Sequence, residues 1–385
     1  MAKFLKKLLL TLAVVIVGLV IAVAIVWAPE LRTMRTVHSV GGNRYLWQVD
    51  YRAPYDLDDV VASNLDSNEA VLTYIVGRIT RGLVDPARLF AVKDTAAADG
   101  DHCTSFLAPD ADGDGYLFGR NYDYFKNPSL VTVSHPRQGY ASIACSDMSH
   151  FGYSLDKVPD TFLGRLLCLA AIYAPVDGMN ERGLCTSIMA LPKQPAQQDS
   201  GRPHVGTTIL MRLWLDRCAT VDEALALLDS VDVRHDVKAG SGYHYMVADA
   251  TGDCAVVEFD PENGWKTLIT RKPADAAYLH VTNHLLAPGY YTTEPDPRYG
   301  NPHSRSWYRY ATVQQYLDSL GGTVTHRQAQ ECLARVHWKD FVWDDGVTVE
   351  DTQFSNVYDP AAQTLTLHHW ADYDTPQTFT LEPAR

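Results

Sequence analysis

From residue 103 onward the chain is written in short apolar runs of strand length, separated by clusters of Gly, Asp, Asn and Pro. The runs at 103–108, 115–120, 130–135, 140–145, 184–190, 243–250 and 253–259 read as strands bounded by turn formers. Between and after them the period changes. Thr207 to Arg217 places apolar residues three and four apart, and Thr220 with Glu223 makes a capping box that opens a second helix through Leu228. Arg305 to Leu320 and Thr325 to Val336 read as two further helices, the latter capped by Thr325 with Gln328. The chain closes on a hairpin, Phe354 to Tyr358 and Thr364 to Trp370, about a turn at Asp359-Pro360. Strands in bulk with helices in pairs predict a layered α+β domain over 103–385.

The pattern upstream is different. Lys3, Lys6 and Lys7 precede an uncharged apolar run of twenty residues, Leu8 to Trp27. That length suits a bilayer span of about 20 residues and exceeds a signal-peptide core of about 7–15. The lysines favour a cytoplasmic N-terminus. Residues 1–28 are therefore expected to be a cytoplasmic tip and signal anchor, with the bulk of the protein outside the cell membrane. The competing reading is cleavage near Ala22-Val23-Ala24 and secretion. Residues 29–102 form a small α/β segment, with a strand over Arg44 to Tyr51 and a helix over Ser67 to Arg81. Asp66 and Glu69 form its capping pair and Gly82 ends it. The small polar stretch 93–101 is a linker that leads to His102 and Cys103.

Net charge is −13, which argues against a nucleic-acid partner. The seven cysteines show no C-x-x-C pairing, hence no zinc signature, and their odd number leaves at least one thiol out of any disulfide. Asp110-x-Asp112-x-Asp114-Gly115 imitates a calcium loop, but Asn121 stands where the closing glutamate belongs, so it reads as a hairpin turn. His368 and His369 are adjacent on a strand and point to opposite faces, which disfavours a shared metal. His244 alternates with apolar residues and reads as a packed strand histidine. No metal or cofactor is implied.

The chemistry concentrates at one hairpin. Cys103-Thr104-Ser105-Phe106 leads through the Asp110–Gly115 turn into Tyr116-Leu117-Phe118-Gly119-Arg120-Asn121-Tyr122-Asp123. The turn returns Arg120 and Asp123 to the cysteine. A guanidinium beside a thiol favours thiolate, and a carboxylate holds a base in place.

This hairpin resembles the choloylglycine hydrolase family of N-terminal-nucleophile amidases and the related acid amidases. The resemblance continues through Asp177-Gly178-Met179-Asn180-Glu181-Arg182-Gly183-Leu184, His244 to Asp253 with Val256-Val257-Glu258, Val281-Thr282-Asn283, and Ser306 to Tyr310. It implies a four-layer αββα sandwich. It implies Cys103 as nucleophile, with its free α-amine as base, Arg120 beside the sulfur and Asp123 orienting the amine. Asn283 is implied as oxyanion donor, with the backbone N–H of Ala190 as the second. Arg309 is implied as a further arginine at the nucleophile, with Arg305 as the fallback in register. Because Cys103 is internal, the resemblance also implies scission between His102 and Cys103, with the upstream piece remaining bound. The expected activity is hydrolysis of a linear amide C–N bond in a small N-acyl substrate. Acyl transfer at the same site and a noncatalytic surface-anchored binding protein are the alternatives. A papain-like protease is disfavoured, because such a cysteine opens a helix and this one opens a strand.

Overall fold

The computed structural model describes residues 2–83, 102–192, 195–290, 305–342, 347 and 349–382. The linker at 93–101 lies outside them. Strand alternation in the cysteine hairpin sets up the whole architecture. His102–Pro109 pairs antiparallel with Tyr116–Tyr124, with Cys103 opposite Tyr122 and Ser105 opposite Arg120. Successive side chains of a strand point to opposite faces. Cys103 and Leu107 enter one apolar core, and Phe106 and Ala108 enter another. Ser105 Oγ meets Ser187 Oγ at 2.8 Å on a second sheet. The thiol therefore faces the space between two sheets. Gly119 is required in this hairpin, because a Cβ there would lie 2.3 Å from the buried ring of Phe106.

The hairpin is part of a seven-stranded sheet in the order Leu279–Val281, His102–Pro109, Tyr116–Tyr124, Val349–Asp359, Thr364–His369, Gln377–Thr380, with Phe341–Val342 also on Val349–Asp359. Facing it is a nine-stranded sheet. Its order is His38–Ser39, Leu46–Tyr51, Ser129–Ser134, Ser142–Asp147, Asp177–Asn180, Cys185–Pro192, Ser241–Ala248, Cys254–Asp260, Lys266–Arg271. The helices Arg305–Ser319 and His326–Arg335 cover the outer face of the smaller sheet through Val313, Leu317, Ala329 and Leu333. Thr207–Arg217 and Val221–Leu227 cover the larger one. The result is the expected layering of helix, sheet, sheet and helix. The expected capping boxes behave as follows. At Thr325 and Gln328 both reciprocal bonds form, and Thr220 accepts from the Glu223 N–H. Upstream, the helix runs over Asn68–Thr80 and its cap is Ser67 rather than Asp66, with the hydroxyl accepting from the Ala70 N–H.

Several strands escaped the sequence reading, among them the short Leu279–Val281 strand that leads to Asn283. Asp177–Asn180 reads as a turn by composition and becomes a strand by pairing on both sides. Lys266–Arg271 and Gln377–Thr380 are polar edge strands. The segment upstream of Cys103 is also less separate than its composition suggests. Leu46–Tyr51 joins the nine-stranded sheet by a parallel ladder to Ser129–Ser134. Leu46, Trp47, Val49 and Tyr51 are buried in the main core, and the Tyr55 hydroxyl donates to Asp216 at 2.7 Å.

The N-terminal apolar run forms a helix, Ala2–Val26. Leu9, Leu10, Val14 and Ile25 on it are exposed. Positions 8, 19, 20 and 23 lie outside the described side chains, and among the described residues no helix is long and apolar enough to cross a membrane. The fold by itself therefore does not support the spanning role expected of residues 8–27. Trp27 in particular leaves the run. It caps the next helix, Ala28–Arg35, donates its indole N–H to the Ile79 carbonyl at 3.0 Å and lies under the Arg81 guanidinium.

Candidate active site

Cys103 sits at the start of its strand, 1% exposed, and its thiol, N–H and carbonyl all have partners. Its N–H donates to Asn283 Oδ1 at 2.6 Å. Its carbonyl accepts from Arg309 Nη1. Its sulfur accepts from Arg120 Nη2 at 3.1 Å. Arg120 is on the same face of the neighbouring strand and is itself fixed. It donates to the Ile188 carbonyl at 2.5 Å and to the Asn121 carbonyl at 2.7 Å, and its Nε lies 3.7 Å from Asp177. Burial works against its charge, but Cys103 and Asp177 outweigh this and hold its pKa above the ordinary arginine value. The sulfur thus faces a permanent cation, which favours thiolate.

Asn283 follows the strand Leu279–Val281 and joins the rest of the site. Its Oδ1 accepts from Arg309 Nη2 at 2.8 Å as well as from Cys103, and its Nδ2 donates to the Ala190 carbonyl at 2.8 Å. Arg309, 1% exposed on the helix Arg305–Ser319, also reaches Thr104 Oγ1 at 2.9 Å. These contacts place Arg309 at the nucleophile, and the Arg305 side chain lies outside the described residues. Five expected positions, Cys103, Arg120, Ala190, Asn283 and Arg309, therefore converge. One detail differs from the expectation. In the continuous chain, the Asn283 amide N–H that was assigned to an oxyanion is engaged by Ala190.

Asp123 is placed differently from the expectation. Three residues beyond Arg120, it lies on the other face of the strand, where Thr352 Oγ1 donates to its Oδ1 at 2.5 Å. Its other oxygen is buried without a hydrogen-bond partner among the described residues. Burial raises its pKa to about 7, with Arg309 the main opposing influence. A raised folded-state pKa means that the native chain holds a proton that the unfolded chain has released. The stability this group provides is complete below the unfolded value near 4 and is lost as pH rises through about 7. Replacing Asp123 by Asn is accordingly expected to cost stability at pH 4 and to become progressively less costly, or stabilising, by pH 8. Denaturant midpoints for both proteins across that range check it, and a pH-independent difference would contradict it.

Further residues that the sequence reading did not assign support this site. Asp177, behind Arg120, accepts from the Tyr358 hydroxyl at 2.5 Å and from Asn356 Nδ2 at 3.1 Å, and burial raises its pKa to about 6. Ser306 Oγ accepts from the Asn283 N–H at 2.9 Å. The only sequence signal for Asp177 was its place in a landmark, because its contacts cross between sheets. Elsewhere, the 110–115 segment is an ordinary turn closed by the Asp110 N–H on the Gly115 carbonyl at 2.9 Å. His369 lies against Asn43, and His368 lies against the Asp372 carbonyl. No disulfide joins the cysteines among the described residues, and all seven are buried.

Comparison with known proteins speaks to the fold and the family. A variant of conjugated bile acid hydrolase from Clostridium perfringens is similar over 72% of this chain and 92% of its own, at 15% identity and a TM-score of 0.50. At that identity the likeness shows the fold alone. Penicillin V acylase from Agrobacterium tumefaciens matches at 17% identity over 72% of this chain and 84% of its own, with a TM-score of 0.41. Among curated proteins none matches. The family model described as acyl-coenzyme A:6-aminopenicillanic acid acyl-transferase matches residues 166–370, which takes in Ala190, Asn283 and Arg309 and begins beyond Cys103, Arg120 and Asp123. Since that match spans more than half of its length, the chain belongs to the acyl-coenzyme A:6-aminopenicillanic acid acyl-transferase family.

Proposed function

We propose that the protein is a self-processing N-terminal-nucleophile amidase that hydrolyses a linear amide bond of an N-acyl substrate through a Cys103 thioester. The observation that carries this reading is the bonding of Cys103 itself, with a guanidinium 3.1 Å from its sulfur and an asparagine oxygen 2.6 Å from its nitrogen. That arrangement prepares a sulfur nucleophile and cradles the nitrogen that scission would free.

In the processing step the thiolate attacks the His102 carbonyl carbon. The amide C–N bond breaks and a thioester joins His102 to the sulfur. The Cys103 nitrogen takes up a proton. Water then releases the His102 carboxylate and the free thiol. The new α-amine, with an ordinary pKa of about 7.7–8.0, accepts the thiol proton near neutral pH. In turnover the thiolate adds to the substrate carbonyl, and the α-ammonium protonates the departing amine. Water cleaves the acyl thioester. The Asn283 amide N–H, released from Ala190, serves the oxyanion together with the Ala190 N–H. Arg309 holds Asn283 and the Cys103 carbonyl. The upstream fragment stays bound after scission, since its Leu46–Tyr51 strand is laddered into the large sheet. Intact mass and N-terminal sequencing of the purified protein test the reading. A fragment beginning at Cys103 and co-eluting with residues upstream of it is the expected result, and a chain that stays whole under turnover conditions would sink it.

The family description itself favours a second reading, acyl transfer, in which an amine rather than water opens the thioester. Partition of the acyl group between water and added hydroxylamine separates the two. The substrate is proposed to be amphiphilic and membrane-borne, with the N-terminal helix as the tether at the outer face of the cell membrane. The support is the row of exposed apolar side chains on Ala2–Val26 behind three lysines. Values of kcat/KM for a series of N-acyl amides are then expected to rise with acyl length, and a flat series would remove the proposal.

A further inference from the structure

We infer that Glu258 and His244 form a buried clamp that positions Asn283, an inference that rests on the amidase reading above. Both residues are fully buried on neighbouring strands of the nine-stranded sheet, next to the Tyr245–Val257 pair. His244 Nδ1 lies 3.0 Å from Glu258 Oε1, and its Nε2 lies 2.7 Å from the Thr282 carbonyl. His244 thus bridges the Glu258 carboxyl group and the Thr282 carbonyl through its two ring nitrogens. The carboxylate has two further donors. Its Oε1 accepts from the Leu286 N–H and its Oε2 from the Ala287 N–H, each at 2.8 Å.

One hydrogen-bonded pair thus grips the 282–287 segment at both ends, at Thr282 through the imidazole and at Leu286 and Ala287 through the carboxyl oxygens. That segment leaves the opposite, seven-stranded sheet, so the clamp ties the two sheets together at the point where Asn283 projects. From the other side, Ser306 Oγ holds the Asn283 N–H at 2.9 Å and lies 2.8 Å from His284 Nδ1, while the His284 ring stacks on Trp307. Burying two such polar groups is costly and an apolar pair is often as stable, so the pair is weak evidence for stability alone. Here its hydrogen bonds are spent on the backbone of one catalytic segment. Misplacing a reacting group by about 1 Å can cost about 10²-fold in rate. His244, read from sequence as a packing residue, and Glu258 are on this argument positioning residues.

The test compares Glu258→Ala and Glu258→Gln with the wild type, using N-octanoyl-7-amino-4-methylcoumarin as the probe. Backbone hydrogen exchange at Leu286 and Ala287 is measured in parallel. In Glu258→Ala, kcat is expected to fall about 10²-fold with KM within about threefold of wild type. Exchange at the two amides should rise more than about tenfold. Glu258→Gln, which keeps one carbonyl acceptor and the side-chain shape, should be intermediate in both, and it carries the test if the alanine variant fails to fold. A folded variant with wild-type kcat, or with unchanged exchange at 286 and 287, would overturn the clamp. A wild-type chain that is neither cut nor active would overturn the amidase reading instead, and the exchange rates would then decide the clamp by themselves.

Discussion

With Cys103 replaced by alanine, the purified chain is expected to remain in one piece and to lose at least about 10⁴-fold in amide turnover, the scale seen when a nucleophile is deleted from a catalytic unit. The expectation follows from two losses at one position. The sulfur that attacks is gone, and with it the scission that would free the α-amine base. The substitution is mild for the fold, because the side chain is small and buried, and the main-chain bonds from Asn283 and Arg309 remain available. Melting temperature should therefore move little, and loss of activity with an intact fold is the informative outcome. Arg120 loses one acceptor but keeps the Ile188 and Asn121 carbonyls and Asp177. Mass spectrometry of wild type and variant under the same conditions checks the first half, and single-turnover kinetics with an N-acyl amide checks the second. A Cys103→Ala chain still cut after His102 would show that another protease makes the cut. A variant that retained turnover would remove Cys103 from the chemistry altogether.

Much of the site was legible in sequence where the signal is local. The Cys103 hairpin announces itself by an Asp- and Gly-rich turn between two runs, and ladder pairing then carries Arg120 back to within 3.1 Å of the sulfur. The Thr325 and Thr220 caps were legible for the same reason, since their partners lie three residues away. What was not legible depends on contacts between distant elements. Asp177–Asn180 has a turn's composition and becomes a strand only because neighbours pair with it on both edges. The family resemblance implies Asp123 at the α-amine, whereas strand alternation sends residues 120 and 123 to opposite faces. His244 reads as a packing position in a one-dimensional pattern, and only the approach of the 282–287 segment from the other sheet shows what it and Glu258 hold.

Asn283 should be the position where holding and catalysis can be separated. In Asn283→Ala the Cys103 N–H, one Arg309 nitrogen and the Ala190 carbonyl all lose a partner. Leaving such buried groups unsatisfied costs about 1–3 kcal/mol each, so the variant is expected to be clearly less stable as well as slow. Turnover should drop about 10²–10³-fold from loss of the oxyanion donor alone. Asn283→Asp divides these effects. It keeps an acceptor for Cys103 and Arg309, and Arg309 supplies a charge for the new carboxylate to pair with, but it has no N–H to give to Ala190 or to an oxyanion. Stability is therefore expected to recover for the most part, while kcat stays as low as in the alanine variant or falls further through repulsion of the developing charge. Denaturation curves and kcat for the two variants give the comparison directly. If kcat recovered together with stability in Asn283→Asp, the asparagine would be a holder of the Cys103 nitrogen, and the oxyanion would have to be served from the Ala190 backbone without it.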